Sequence, residues 1–133
     1  MAGERIDLAR VTVPAYIVAS RDDHIVPWRS AYQSTQLLGG DMTFVLGASG
    51  HIAGVVNPPQ TNRRSYWTNP VLAVTADDWL ARAETHPGSW WPHWGAWLAR
   101  HGGARAPAPR VAGSAGNPAL CPAPGRYVLA PSE

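Results

Sequence analysis

The hydrophobic pattern in the first half of the chain predicts two buried strands joined by a helix. Residues 13–19 and 42–46 are short, nearly all apolar and contain several β-branched side chains, which is typical of strands covered on both faces. Between them, Pro27 suits the first turn of a helix, and Gly39-Gly40 ends the run of helically spaced apolar residues. Because a strand–helix–strand crossover makes its two strands parallel, the pattern predicts an α/β fold in which both strands end at the same edge.

Candidate catalytic side chains follow each predicted strand. Asp22, Asp23 and His24 come after the first, and His51 follows the second behind residues 47–50, which begin and end with glycine. The two glycines predict a tight backbone that aims the histidine. Since neighbouring strands lie about 4.8 Å apart, a carboxylate on one loop can reach an imidazole on the next. From position alone, either aspartate can be the acid.

The second half of the chain predicts two further helices. A capping-box pattern at Thr75 and Asp78 predicts a helix that extends to Pro87. A second helix is predicted over residues 89–101, where Pro92 is tolerated in the first turn. One face of this second helix is predicted to hold Trp90, Trp94, Trp97 and Leu98.

Length and domain organisation indicate part of a larger fold. Two strands are too few for an independently stable sheet, so we expect residues 11–101 to be the carboxyl-terminal part of a catalytic domain. Residues 1–10 are predicted to be a linker, and residues 102–133 form an extended tail rich in Ala, Pro and Gly. A small independent α+β domain is the alternative.

Charge and composition argue against several classes of function. The chain has 133 residues, 11 basic and 9 acidic side chains and a net charge of +2, so no basic stripe predicts nucleic-acid binding. No apolar run reaches the length of a membrane span. A single cysteine fits a reducing cytoplasm.

Several long motifs resemble the carboxyl-terminal part of polyhydroxyalkanoate synthases, of the class I, poly(3-hydroxybutyrate) type. The resemblance begins near Ile6 and continues to the end of the chain. The motifs that carry it are residues 23–28 (Asp-His-Ile-Val-Pro-Trp), 44–59, 66–67, 88–92 (Gly-Ser-Trp-Trp-Pro), 94, 97–98 and 123–128 (Ala-Pro-Gly-Arg-Tyr-Val).

The resemblance implies the carboxyl-terminal portion of an α/β-hydrolase fold, in which a nucleophile, an acid and a histidine follow one another along the chain. It selects Asp23 as the acid and His51 as the general base, and His24 is a candidate for shaping the site. The family's nucleophile is a cysteine in a G-x-C-x-G elbow, which this sequence lacks. Ser49 and Cys121 lie in unsuitable contexts, so the nucleophile is expected upstream.

The function that the resemblance implies is polymerisation of (R)-3-hydroxyacyl-coenzyme A into polyester, with release of coenzyme A. The thioester is the substrate and no cofactor is expected. Expected partners are the growing polyester, the upstream half of the synthase and a second copy of the complete enzyme. The expected location is the cytoplasm, at the surface of the polyester granule. An esterase or depolymerase fragment and a non-catalytic granule-binding or synthase-binding remnant are the alternatives.

Seven tryptophans allow two interpretations. They can form an apolar platform for polyester or granule, or they can pack the last helices against the sheet, as large aromatic side chains usually do. His86, His93 and His101 show no metal-ligand spacing and are assigned no site.

Overall fold

The computed structural model describes residue 3 and residues 5–131. Its first compact unit, which ends at Gly102, contains a four-stranded sheet in the order β1-β2-β3-β4. The strands are β1 (Ala15–Ser20), β2 (Met42–Gly47), β3 (Ser65–Thr68) and β4 (Glu84–Pro87). The predicted parallel pairing of β1 with β2 is confirmed, and the other two pairings are antiparallel.

The prediction of a helix continuing to residue 87 is wrong. Thr75 does cap a helix, α3 (Ala76–Ala81), by accepting from the Asp78 backbone N–H, but the chain then turns and forms β4. Pairing with β3 stabilises this strand, and such tertiary pairing overrides a local pattern that is nearly neutral between strand and helix.

The predicted crossover helix is divided into two short helices, α1 (Trp28–Tyr32) and α2 (Ser34–Leu37). At their junction the Thr35 hydroxyl donates to the Tyr32 carbonyl at 2.8 Å, a local bond of the kind that competes with helix continuation. The last helix, α4 (Trp91–His101), has Pro92 in its first turn as predicted. None of the helices in the described part of the chain is long and apolar enough to cross a bilayer.

An aromatic core fixes α1 and α3 on one face of the sheet. The rings of Tyr32, Phe44 and Trp79 are fully buried, with centroids 4.9 to 5.8 Å apart. On the opposite face, Tyr16 of β1 contacts Trp90 and Trp97 at centroid distances of 6.3 and 5.6 Å.

Some of the tryptophans pack in the interior of this unit, and others are partly exposed. Trp28, Trp79 and Trp90 are buried, which agrees with the packing interpretation. Trp94 and Leu98, predicted to share a face with Trp90, are 40% and 42% exposed in this unit.

The end of the predicted linker lies against the sheet unit. Residues Leu8–Arg10 form a short 3-10 turn, and the Val11 carbonyl accepts from the Gly39 N–H at 3.1 Å. A side chain at Gly39 or Gly40 would overlap this backbone, so the glycines are required by close approach, and α2 already ends at Leu37, before them.

The second unit begins at Gly103. Its described residues are mostly exposed and irregular. They include a short 3-10 turn over Tyr127–Leu129 and an isolated bridge between Gly113 and Pro118.

Candidate active site

The loops that follow β1 and β2 are fastened to each other beyond the ends of the strands. The Arg21 N–H donates to the Gly47 carbonyl at 2.8 Å, and the Asp22 N–H donates to the Ser49 carbonyl at 3.0 Å. These two bonds extend the parallel ladder into the loops. They hold the acidic segment and the histidine segment at one edge, as the crossover argument predicted.

Asp23 is held by its own loop. One carboxylate oxygen, Oδ1, accepts from the backbone N–H groups of Ile25 at 2.8 Å and Val26 at 3.0 Å. The Val26 N–H, then the Ile25 N–H and the nearby His51 and His24, lower the pKa of Asp23. The carboxylate is therefore charged and fixed at neutral pH, which is the state that an acid–histidine pair requires.

His51 lies in a short helical turn. The Gly54 N–H donates to the Gly50 carbonyl, and the Val56 N–H donates to the Ile52 carbonyl, both at 2.8 Å. The positive φ that precedes this turn falls on Ser49, at 79°, and not on the neighbouring glycines. The tight backbone predicted for the two glycines therefore does not depend on a positive φ at either of them.

Gly47 is required by a different contact. A Cβ at this position would lie 3.0 Å from the Gly54 carbonyl oxygen, which is tighter than normal packing. The glycine therefore allows the histidine turn to sit directly against the end of β2.

The side chains of Asp23 and His51 meet at this edge. Nδ1 of His51 lies 3.8 Å from Oδ1 of Asp23, so the prediction of an approach within about 6 Å is confirmed. The distance exceeds that of a hydrogen bond, and Nδ1 is buried without a hydrogen-bond partner in the described part of the chain. The Asp23 side chain is 12% exposed and that of His51 is 37% exposed, so the imidazole remains accessible to a reacting group.

The neighbouring side chains have different positions. The ring of His24 is 5.3 Å from that of His51 in an edge-on arrangement, while Asp22 is exposed. Cys121 is exposed and belongs to the second unit.

A set of contacts that the sequence analysis missed supports the histidine turn. The indole N–H of Trp90 donates to the Gly54 carbonyl at 3.0 Å, and that of Trp91 donates to the Val55 carbonyl at 2.9 Å. The Ser89 hydroxyl donates to the Asn57 carbonyl. The Gly-Ser-Trp-Trp motif was visible in the sequence, but its partners, more than 30 residues away, were not.

The position of the Asp23–His51 pair on the sheet indicates the structural class of the protein. A charged aspartate beside a histidine, at the carboxyl edge of an α/β sheet and in the order acid then histidine, is the arrangement of the α/β-hydrolase class. Such a pair can orient an imidazole so that it accepts a proton.

Comparison with known proteins then gives the family. No protein-family model matches the chain. It is 57% identical over 130 residues to "Poly(3-hydroxyalkanoate) polymerase subunit PhaC" of Cupriavidus necator, which covers 98% of this chain and 22% of that protein. The protein of the same name from Rhizobium etli is 45% identical over 127 residues, covering 96% and 20%. "Poly(3-hydroxyalkanoate) polymerase 2" of Ectopseudomonas oleovorans is 45% identical over 130 residues, covering 97% and 23%.

The chain is homologous to the carboxyl-terminal part of the poly(3-hydroxyalkanoate) polymerases, and it spans about a fifth of the length of these relatives. The family expected from the motifs is thereby confirmed.

Proposed function

We propose that this chain supplies the acid and the general base of a polymerase that joins (R)-3-hydroxyacyl units from coenzyme A thioesters into polyester. The observation that carries the proposal is the 3.8 Å approach of Asp23 and His51, in a segment 57% identical to a named polymerase. Asp23 is the acid and His51 the base, while the nucleophilic cysteine comes from the part of the enzyme that this chain does not span.

The chemistry follows from the two side chains. His51 accepts the proton of the cysteine thiol, and the thiolate attacks the carbonyl carbon of the thioester. Coenzyme A leaves as its thiol after taking the proton from the imidazolium. The hydroxyl of another unit then attacks the acyl-enzyme with His51 again as base, which forms the ester and frees the cysteine. The charge of Asp23 stabilises the imidazolium in each step.

The surroundings of the pair favour an apolar substrate. Ile25 and Val26 follow the acid, Ile52 and Val56 follow the histidine, and each of these side chains is more than half exposed. Water would hydrolyse the acyl-enzyme, so a polymerase needs this edge to be enclosed. Apolar side chains on both sides of the pair suit contact with a polyester or with the enclosing part of the enzyme, and His24 fills the space beside His51.

The remaining features of the proposal concern partners and place. The complete enzyme is expected to act as a homodimer at the surface of the polyester granule in the cytoplasm. We expect no cofactor, since the thioester carries the energy for ester formation.

The test uses a hybrid polymerase, in which this chain replaces the matching carboxyl-terminal part of the Cupriavidus necator enzyme. Release of coenzyme A from 3-hydroxybutyryl-coenzyme A is measured together with polymer. We expect His51→Ala to lower kcat by about 10²-fold to 10⁴-fold or more, because general-base catalysis contributes that much and catalytic residues that act as a unit lose more. Asp23→Asn should also be severe, because the tautomer of His51 is no longer fixed.

His101→Ala is the matched control. His101 is exposed at the end of α4, and its ring nitrogen pairs with the Trp97 carbonyl, so its loss should leave kcat unchanged. The chain alone should release no coenzyme A. Full activity of the hybrid polymerase that carries His51→Ala would refute the assignment of His51 as the base. Release of coenzyme A without formation of polymer would favour a hydrolase instead.

A further inference from the structure

We propose that Trp90 and Trp91 are positioning residues for His51, because their indole N–H groups replace the backbone donors that Pro58 and Pro59 remove from the histidine turn. The inference rests on the proposed role of His51 as general base. It concerns a different question, which is how a turn of only a few residues holds that imidazole in place.

Two carbonyl groups of the histidine turn, those of Gly54 and Val55, lack the backbone N–H donors that a helical turn normally provides. In a helical turn each carbonyl accepts from the N–H four residues later. For Gly54 that residue is Pro58, and for Val55 it is Pro59. Proline has no N–H, so neither carbonyl can be satisfied in this way. A buried carbonyl without a donor costs free energy comparable to a lost hydrogen bond.

Two consecutive indoles supply the missing donors. Trp90 Nε1 is 3.0 Å from the Gly54 oxygen in a buried position, and Trp91 Nε1 is 2.9 Å from the Val55 oxygen. In the described part of the chain no backbone N–H donates to the Gly54 carbonyl, whereas Val55 also accepts from the Asn57 N–H at 3.2 Å. Trp90 is therefore the more important of the two.

Trp90 is itself fixed. Its side chain is 8% exposed, and its ring stacks on Tyr16 of β1 with 28° between the planes. Beside it, the Ser89 hydroxyl donates to the Asn57 carbonyl, and the Asn57 amide donates to the Gly88 carbonyl at 3.4 Å. Residues 88–91 thus form several hydrogen bonds with residues 54–57. Through the ring of Trp90 they also connect the turn to β1, the strand that leads to Asp23.

This connection makes the indole a positioning device. Gly54 closes the turn that begins at Gly50, with His51 inside it. Release of the Gly54 carbonyl would let the turn move relative to β1, and the imidazole would move with it. Small misplacements of a catalytic group, on the order of 1 Å, can cost about 10²-fold in rate.

The test compares Trp90→Phe with Trp97→Phe in the hybrid polymerase, at equal folded protein. Both changes keep an aromatic ring beside Tyr16, but of these two tryptophans only Trp90 has an indole N–H that donates a hydrogen bond in the described part of the chain. We expect Trp90→Phe to lower kcat about tenfold to 10²-fold with KM within about twofold, and Trp97→Phe to leave kcat within about twofold. Trp91→Phe should fold normally and show a smaller loss than Trp90→Phe, because the hydrogen bond that Trp91 donates is exposed.

Two further measurements separate positioning from general damage. In a His51→Ala background, Trp90→Phe should add no further loss, because a displaced turn matters only if the imidazole is present. The ring-nitrogen NMR signals of His51 should change in Trp90→Phe and stay unchanged in Trp97→Phe, independently of turnover.

Equal kcat and unchanged His51 signals in Trp90→Phe would overturn the proposal. If His51→Ala itself left activity intact, the proposed function would fail, while the NMR comparison would still decide whether the indole positions the histidine. Equal losses in Trp90→Phe and Trp97→Phe, or a further loss in the His51→Ala background, would indicate simple destabilisation and also overturn it.

Discussion

Gly54→Ala should loosen the histidine turn, and its effect can be worked from the contacts of the missing side chain. A Cβ on Gly54 would lie 2.5 Å from the Ser20 hydroxyl oxygen and 2.8 Å from the carbonyl oxygens of Ala48 and Gly50. The hydroxyl can rotate, but the two carbonyls are backbone. Relief of these contacts requires the turn to shift by several tenths of an ångström. Overpacking of this kind typically costs about 1–3 kcal/mol.

Gly95→Ala is the same substitution at another glycine, and it is expected to change the stability of the enzyme in the opposite direction. Gly95 lies inside α4, and a Cβ there meets no atom within 4 Å. Alanine is a better helix former than glycine by about 0.5–1 kcal/mol. We therefore expect Gly95→Ala to raise the melting temperature of the hybrid polymerase and Gly54→Ala to lower it.

The assay is a thermal melt combined with the release of coenzyme A. Gly54→Ala should also lower kcat, because the shift moves His51 relative to Asp23, and Gly95→Ala should leave kcat unchanged. A Gly54→Ala enzyme with unaltered melting temperature and full kcat would show that the turn is free to adapt, and the packing argument for His51 would then be wrong.

Two further predictions concern other parts of the chain. Burial, with the nearby His86 and Arg100, lowers the pKa of His93 below its usual 6.5, and its Nδ1 pairs with the Tyr16 hydroxyl at 2.7 Å. The folded state therefore favours neutral His93, so stability is complete above the unfolded pKa and is lost as the pH falls through the folded value. His93→Gln should reduce the loss of stability measured between about pH 7 and pH 5, and an unchanged pH dependence would contradict this assignment. Cys121→Ser should leave the release of coenzyme A unchanged, because the proposed nucleophile is a different cysteine and this thiol is exposed, and loss of activity would contradict that proposal.

The sequence predicted the edge of the candidate active site because its determinants are local. Each strand before the site is a short apolar run, and each functional loop follows directly, so the crossover rule was enough to bring Asp23 and His51 together. The pattern alone could not choose between Asp22 and Asp23, because the two carboxylates are adjacent and the choice depends on how each is oriented. The Asp23 carboxylate accepts from the N–H groups of Ile25 and Val26, and the family resemblance, rather than the pattern, selected it.

The sequence did not predict β3 and β4, for a physical reason. Both strands are four residues long, and β4 is largely exposed, so neither has the apolar run or the alternation that identifies a strand. Their stability comes from antiparallel pairing with distant residues. The indole bonds to Gly54 and Val55 could not be predicted for the same reason, because their partners lie 36 residues apart in the sequence.

Asp23 and His51 lie close together but too far apart for a hydrogen bond. Nδ1 of His51 is buried without a hydrogen-bond partner in the described residues, and its distance of 3.8 Å to Asp23 exceeds a normal N–H···O bond of about 2.9 Å by roughly 0.9 Å. The Asp23 carboxylate is anchored through Oδ1 to its own loop, so the simpler closing movement belongs to the histidine turn. That turn is held by Trp90, whereas its apolar side chains such as Ile52 are exposed. On the proposed function, we expect contact with the rest of the polymerase to move the turn towards Asp23, and an unchanged 3.8 Å separation in a crystal structure of the hybrid polymerase would contradict this.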